Sequence, residues 1–325
     1  MANILITNDC PRSCTFCFAK SRLGSQTEGA PAKFMSRANL RQVMDFLEGS
    51  GEMSLRLLGG EPTRHPEFTD IVGEALERGF HIHVFTNAMM PAETADFLSD
   101  TPVDQVSFLC NVSPQSNDAA EDKQKVAYAL ERLGARAQVG ITLTAPEFEY
   151  AFLLPLIERY RLKRRIRIGI AQPIVGENNA FLAPADYREA GRNIVAMAED
   201  CIRNDILIGF DCGMTLCMFS QEELGKLLQY TEGFRSVCQP IIDIGPDLDI
   251  WHCFPLSEVL NSKLERFRNR NEAVRFYRQK VARFRTFGCK ETCLSCAYLK
   301  RGQCSGGCLA HAINSLNKLP PREAQ

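Results

Sequence analysis

No stretch of this chain approaches roughly 18 uninterrupted apolar residues, so no transmembrane helix is expected. The opening, MANILITNDC, lacks a charged segment followed by an apolar run, the pattern of a secretion signal. Net charge is also nearly absent: −1 over 325 residues provides no global field to draw the protein to nucleic acid or a membrane surface. Tandem repeats and low-complexity tracts are missing too. These absences set a cytoplasmic location, with no nucleic-acid or membrane partner, as the expectation. Apolar content of 45% and charged content of 24% are ordinary, and the length suits one large domain or two.

Cysteine is plentiful. Fourteen cysteines without an export signal point to a reducing compartment, where thiols bind metal or do redox chemistry instead of pairing. Three crowd into NDCPRSCTFCFAK at Cys10, Cys14 and Cys17, and only Cys110 and Cys201 follow before residue 212. Then come Cys212, Cys217, Cys238, Cys253, Cys289, Cys293, Cys296, Cys304 and Cys308. The chain is expected to divide near residue 205 into a cysteine-poor body, 1–205, and a cysteine-rich region, 206–325.

The body alternates strand-like and helix-like patterns. NILIT (3–7), LRLLGG (55–60), HIHVFTN (81–87), DQVSFLCNV (104–112), QVGITLT (138–144) and RIRIGIAQP (165–173) read as strands. Between them, helices are expected over 36–49 with Ser36 as N-cap, 68–79, about 119–133 and about 148–161, with another over 184–203. Such alternation implies an α/β fold with a parallel sheet, open or curled into a full or partial barrel. Chemistry then gathers at the C-terminal ends of the strands. The cysteine loop, GGEP (59–62) and Thr86-Asn87 follow the first three strands, all at that end. The cysteine-rich region shows little periodicity beyond one helix, roughly 257–283, and such a region relies on metal clusters to hold its loops.

Thiolates hold iron–sulfur clusters, usually four for a 4Fe–4S cube, so three in one tight loop leave an iron open to something that is not protein. Zinc in a structural site prefers four protein ligands, and the next Cys or His after the loop is only His65. Cys10-x3-Cys14-x2-Cys17, with Phe16 before the last cysteine, resembles the signature of the radical S-adenosylmethionine (SAM) enzymes. The resemblance implies that the open iron chelates SAM. Reductive cleavage of SAM then gives a 5′-deoxyadenosyl radical that takes hydrogen from a substrate, with a flavodoxin- or ferredoxin-type protein as electron donor. LLGGEPTRHPEF (57–68) resembles the family's element in which Gly59, Gly60 and Glu61 approach the SAM amino group. FTNA (85–88) is similar to its ribose-contacting strand end, with Thr86 and Asn87 as candidates and Ala88 where Gly is usual. Asn111 and GITLT (140–144) fall where the family contacts ribose and adenine. The resemblance covers about 3–175 and implies a partial (β/α)6 TIM-like barrel.

CLSCAYLKRGQCSGGC (293–308), Cys-x2-Cys-x7-Cys-x3-Cys, follows CQPIIDIGPDLDIWHC (238–253). Together they resemble the SPASM extension of radical SAM enzymes, which carries auxiliary 4Fe–4S clusters. This chain has x7 for the usual x5, Leu248 for a usual Gly, and no cysteine after Cys308. By the family's interleaved pattern, one cluster takes Cys238, Cys253 and Cys308 with Cys212 or Cys217. The other takes Cys293, Cys296 and Cys304 with Cys289 in place of the missing downstream ligand, and one cysteine is left over. One or two auxiliary clusters are therefore expected. The resemblance implies oxidation or cross-linking of a peptide or protein substrate; the alternative is a dehydrogenase or epimerase for a small molecule, such as an aminoglycoside or amino acid derivative.

Other groups have simpler readings. Cys110 and Cys201 are expected to be packing residues. Asp211, Asp243, Asp247 and Asp249 read as turn formers and caps, and His252 as a solvated loop residue. KRRIR (163–167) reads as a solvated helix end, although Arg165 or Arg167 could point into a barrel.

Overall fold

The computed structural model describes residues 2–20, 32–112, 119–231 and 233–317. Its first seven strands are β1 (Ala2–Thr7), β2 (Ser54–Gly59), β3 (His81–Thr86), β4 (Val106–Asn111), β5 (Ala137–Leu143), β6 (Arg165–Ile170) and β7 (Leu207–Phe210). Each pairs in parallel with the next, as at Ile4↔Leu57, Leu57↔Val84 and Ile168↔Phe210. The crossovers carry α1 (Arg37–Glu48), α2 (Phe68–Glu77), α3 (Ala92–Asp100), α4 (Ala120–Leu133), α5 (Leu153–Arg159) and α6 (Tyr187–Arg203). Alternate strand residues, among them Ile4, Leu57, Val84, Phe108, Ile141 and Ile168, bury with helix residues such as Leu40, Ile71, Leu130 and Ile194 in one apolar core. The opposite residues of the strands line the concave side.

Helix ends follow local chemistry. The Ser36 side chain accepts a hydrogen bond from Asn39 N, as an N-cap does. The helix expected over 148–161 is confined to Leu153–Arg159, and the chain leaves it through Arg161 at φ 49°.

The cysteine-rich region extends the same sheet. After α7 (Gln221–Tyr230) come β8 (Asp243–Ile244), β9 (Asp249–Trp251) and β10 (Asn261–Lys263). β8 lies parallel to the free edge of β1, β9 antiparallel to β8, and β10 antiparallel to β9. The strand order is β10-β9-β8-β1-β2-β3-β4-β5-β6-β7, with β10 and β7 at opposite edges. The fold is thus an α/β partial barrel with a cysteine-rich C-terminal region. Position 205 falls in the turn between α6 and β7, so strands on both sides of it share one sheet.

The helix expected over 257–283 is corrected. Residues 261–263 pair with β9, and the helix, α8, spans only Arg270–Val281, capped where Asn269 Oδ1 accepts from Glu272 N. Two short helices follow, α9 (Ala297–Lys300) and α10 (Leu309–Asn317). A small second core of Val175, Leu256, Val281, Leu309, Ala310 and Ile313 packs against Cys238, Cys253 and Cys308.

Candidate active site

The chain leaves β1 into the three-cysteine loop, which is fastened to the end of β2 by backbone. Gly60 N donates to Thr7 O at 2.9 Å and Glu61 N to Asp9 O at 2.7 Å. A Cβ on Gly59 would stand 2.6 Å from Thr7 O, and one on Gly60 2.3 Å from Asp9 O and 2.7 Å from Cys10 Cβ. Gly59 is thus required by the close approach of the end of β1, and Gly60 by that of the cysteine loop, reasons independent of any ligand. The Asp9 carboxylate pairs with Arg64, and with Lys33 at 3.2 Å, locking the loop from outside.

Within the loop, Cys10, Cys14 and Cys17 are half-buried, and the Cys10 sulfur faces those of Cys17 and Cys14. Burial pushes the Cys10 thiol up to about 11 and also raises Cys17, while backbone N–H groups of Arg12 and Ala19 donate to the two sulfurs. Cys17 packs beside Leu5, Trp251 and Phe254 on the concave side. Phe16 is half-buried.

The Glu61 carboxylate does not face outward. It is completely buried and accepts from Thr86 Oγ1 at 2.7 Å, Asn87 N at 2.7 Å and Thr63 Oγ1 at 2.8 Å. Burial pushes this carboxyl up, opposed by those donors. The side chain is a pin between the ends of β2 and β3, leaving backbone, not carboxylate, as the GGE surface on offer to an ammonium. Thr86 is likewise buried and committed, its hydroxyl donating to Glu61 and accepting from Ala88 N. Asn87 is half-buried, with Oδ1 accepting from Met89 N. Ala88 takes φ 63°, the left-handed region that glycine occupies freely. Asn111 lies exposed at the end of β4, over Gly140 of β5.

Beneath this rim the barrel is lined by charge. The Arg56 and Arg167 guanidinium groups lie 6.0 and 5.8 Å from the Phe85 ring, and Arg167 pairs with Asp211. Asp211 is therefore not a turn former, and Arg167 of the KRRIR run enters the barrel. Asp243 is corrected as well. It is a buried residue of β8 whose Oδ1 accepts from Asn3 Nδ2 at 2.8 Å, and burial pushes its carboxyl up to about 7. Asp249 pairs with Lys263 at 2.7 Å, and Asp247 accepts from Ala32 N. These partners lie in other segments, invisible to a reading of local turns. Cys110 and Cys201 are buried in the core.

The nine distal thiols separate into two sets. Cys212 faces Cys238 and Cys308, and Cys253 faces all three. Cys293 faces Cys217, Cys296 and Cys304, and Cys289 faces Cys293 and Cys217. His252, expected in solvent, is fully buried with Nδ1 3.1 Å from Cys253 Sγ, because the ring packs edge-on against Tyr277 of α8. Leu248 holds φ 60°, so this departure from glycine, like Ala88, keeps the left-handed backbone.

These sulfurs suit iron–sulfur ligation. Backbone N–H groups donate to Cys238, Cys304 and Cys308 as well as to the N-terminal pair, the kind of hydrogen bond that stabilises cluster thiolates. Among the described residues, no three His, Cys, Asp or Glu side chains converge closely enough for a single metal ion.

Comparison with known proteins agrees. The family model described as Radical SAM superfamily matches residues 4–110, from β1 through most of β4. Over those residues the chain is similar to the radical SAM superfamily. A tungsten-containing aldehyde ferredoxin oxidoreductase cofactor-modifying protein of Pyrococcus furiosus is 27% identical over 172 residues, 48% of this chain and 46% of that protein. A PqqA peptide cyclase of Ruegeria pomeroyi is 26% identical over 223 residues, 63% of this chain and 57% of the cyclase. The chain thus spans about half the length of these curated relatives. Structures of Streptococcus suis SuiB, bound to S-adenosylmethionine or to precursor peptide SuiA, superpose with TM-score 0.64 at 17% identity. They cover 95% of this chain and 72 or 71% of SuiB, a likeness of fold. Among the described residues, no helix is long and apolar enough to cross a membrane.

Proposed function

We propose that this protein is a radical SAM enzyme that modifies a peptide or protein substrate by hydrogen abstraction. Cys10, Cys14 and Cys17 would hold the catalytic 4Fe–4S cluster. The observation that carries this is their convergence with Gly60 and the Glu61–Thr86–Asn87 pin at one end of the barrel. When bound, the cluster and SAM supply a 5′-deoxyadenosyl radical, given one electron from a flavodoxin- or ferredoxin-type donor.

The chain's own residues have distinct tasks in this reading. The Gly59–Glu61 backbone, held against Asp9, receives the SAM ammonium. Asn87 and Asn111, at neighbouring strand ends, offer amides to the ribose, and Phe16 flanks the loop. Thr86 acts through Glu61, as a positioning residue. Arg56, Phe85, Arg167 and Asp211 form the floor on which substrate rests, with Arg167 neutralised by Asp211. Residues 206–325 would bind one or two auxiliary clusters through the distal thiols and carry away the electron left on the substrate.

Support for a peptide substrate comes from the PqqA peptide cyclase relative and the fold shared with SuiB. The cofactor-modifying relative favours a second reading, a small molecule such as an amino acid derivative. Protein prepared without air and reduced with dithionite is expected to convert SAM to 5′-deoxyadenosine. No such product would reject the enzyme. Deuterium passing from a labelled candidate peptide into 5′-deoxyadenosine supports the peptide reading, while transfer only from a small molecule overturns it.

A further inference from the structure

Nine distal thiols are one more than two four-thiolate clusters require. The spacing alone does not decide which of the nine is spare. The fold does discriminate. Cys212 and Cys217 both lie in the loop leaving β7, yet they neighbour different sets: Cys212 lies near Cys238 and Cys308, Cys217 near Cys289 and Cys293. A cavity in the second set is lined by Cys217, Cys293, Cys296 and Cys304, together with Thr215 and Gly306 among others. Cys289 is not part of that lining. Its backbone N–H is fixed to Gly306 O at 2.8 Å, and its sulfur would stand 3.1 Å from a Cβ on Gly307, so it borders the second set without lining the cavity. Thr215 Oγ1 approaches Cys217 Sγ at 3.3 Å, a contact that suits a tuned thiolate. Tyr187 of α6 faces Cys308 of the first set together with Cys217, Cys289 and Cys293 of the second, so the two sets are neighbours.

We infer that the loop after β7 supplies one thiolate to each auxiliary cluster, Cys212 to the first and Cys217 to the second, and that Cys289 is the spare thiol. This rests on the auxiliary-cluster reading and deepens it. The family's pattern draws the last ligand from beyond the final cysteine motif; here the barrel's own last strand delivers it. Asp211, which holds Arg167 in the barrel, is the residue immediately before Cys212. The same strap therefore joins the substrate floor to both clusters.

The test uses full-length protein loaded with iron and sulfide without air. Cys212 and Cys217 both have exposed surface, so iodoacetamide should modify them once the clusters are stripped by chelator and oxidant. In loaded protein both should stay unmodified by mass spectrometry, against the exposure of the bare fold. Cys217→Ala should lose about four irons per chain, with matching loss of the cluster's electron paramagnetic resonance signal, while Cys289→Ala keeps the wild-type content of about twelve. Modification of Cys217 in loaded protein, or iron loss in Cys289→Ala, overturns the partition. The alkylation result holds even if Cys217→Ala fails to fold. Wild-type protein with only about four irons would reject the auxiliary clusters themselves, a different failure.

Discussion

The two cysteine-bearing regions are built on opposite plans. The N-terminal loop brings three thiols against the end of a parallel sheet and relies on backbone, Gly60 and Glu61, for support. The C-terminal region surrounds its thiols with one another, around a small apolar core and strands of two or three residues. In the first, the fold makes the site. In the second, we propose that clusters hold the last loops, since beyond residue 285 the described buried apolar side chains other than cysteine are only Leu309, Ala310, Ala312 and Ile313.

Replacing cysteines is the most drastic way to break this contrast. Cys14→Ser should abolish 5′-deoxyadenosine formation while leaving the barrel's thermal unfolding nearly unchanged. Cys296→Ser should leave the barrel intact but loosen residues after about 285, read as faster amide exchange there. Loosening of the barrel by Cys14→Ser, equal to that from Cys296→Ser in its own region, would erase the distinction.

Asp243 sits where the two regions join, and its effect on stability should be next in size. Burial raises its carboxyl from 3.8 to about 7, so the folded state binds this proton more tightly than the unfolded chain. Its stabilising share is complete below the lower value and is lost as pH rises toward about 7. At about 1.4 kcal/mol per unit, the full swing is on the order of 4 kcal/mol. Asp243→Asn should flatten the pH dependence of the thermal midpoint between 3.8 and about 7; an unchanged slope would show that another group governs it.

Gly60→Ala tests the backbone contact. A methyl group 2.3 Å from Asp9 O forces the loop off β2, at a cost of about 1–3 kcal/mol, with loss of SAM cleavage. Full activity in this variant would mean the approach is not required. The smallest effect belongs to the turn between the regions. Asp205 there holds φ 54° and is almost wholly exposed, so Asp205→Gly should raise stability by up to about 1 kcal/mol. A decrease would show that its weak pairing with Arg164 matters more than backbone relief.

The barrel was legible because its strands read as apolar runs and its helices repeat every three to four residues. Ser36 as a cap and the placement of GGEP and Thr86-Asn87 at strand ends follow from local sequence alone. The strands β8 to β10 were not legible, since two or three residues carry no period. The burial of Asp243 and His252 depends on partners far along the chain, Asn3 and Tyr277. The inward turn of Glu61 was hidden similarly, because Thr86 lies 25 residues away. The capping box SQEE (220–223) at the start of α7, formed by Ser220 and Glu223, was legible in the sequence.

The pairing of β8 with β1 has a consequence for biogenesis. During synthesis the first strand emerges with one side unzipped, and its complement follows only after some 240 further residues. Until then the nascent sheet has a sticky border, the sort of surface that recruits chaperones or a second chain. Pairing of β8 closes that border beside the strand that leads into the three-cysteine loop.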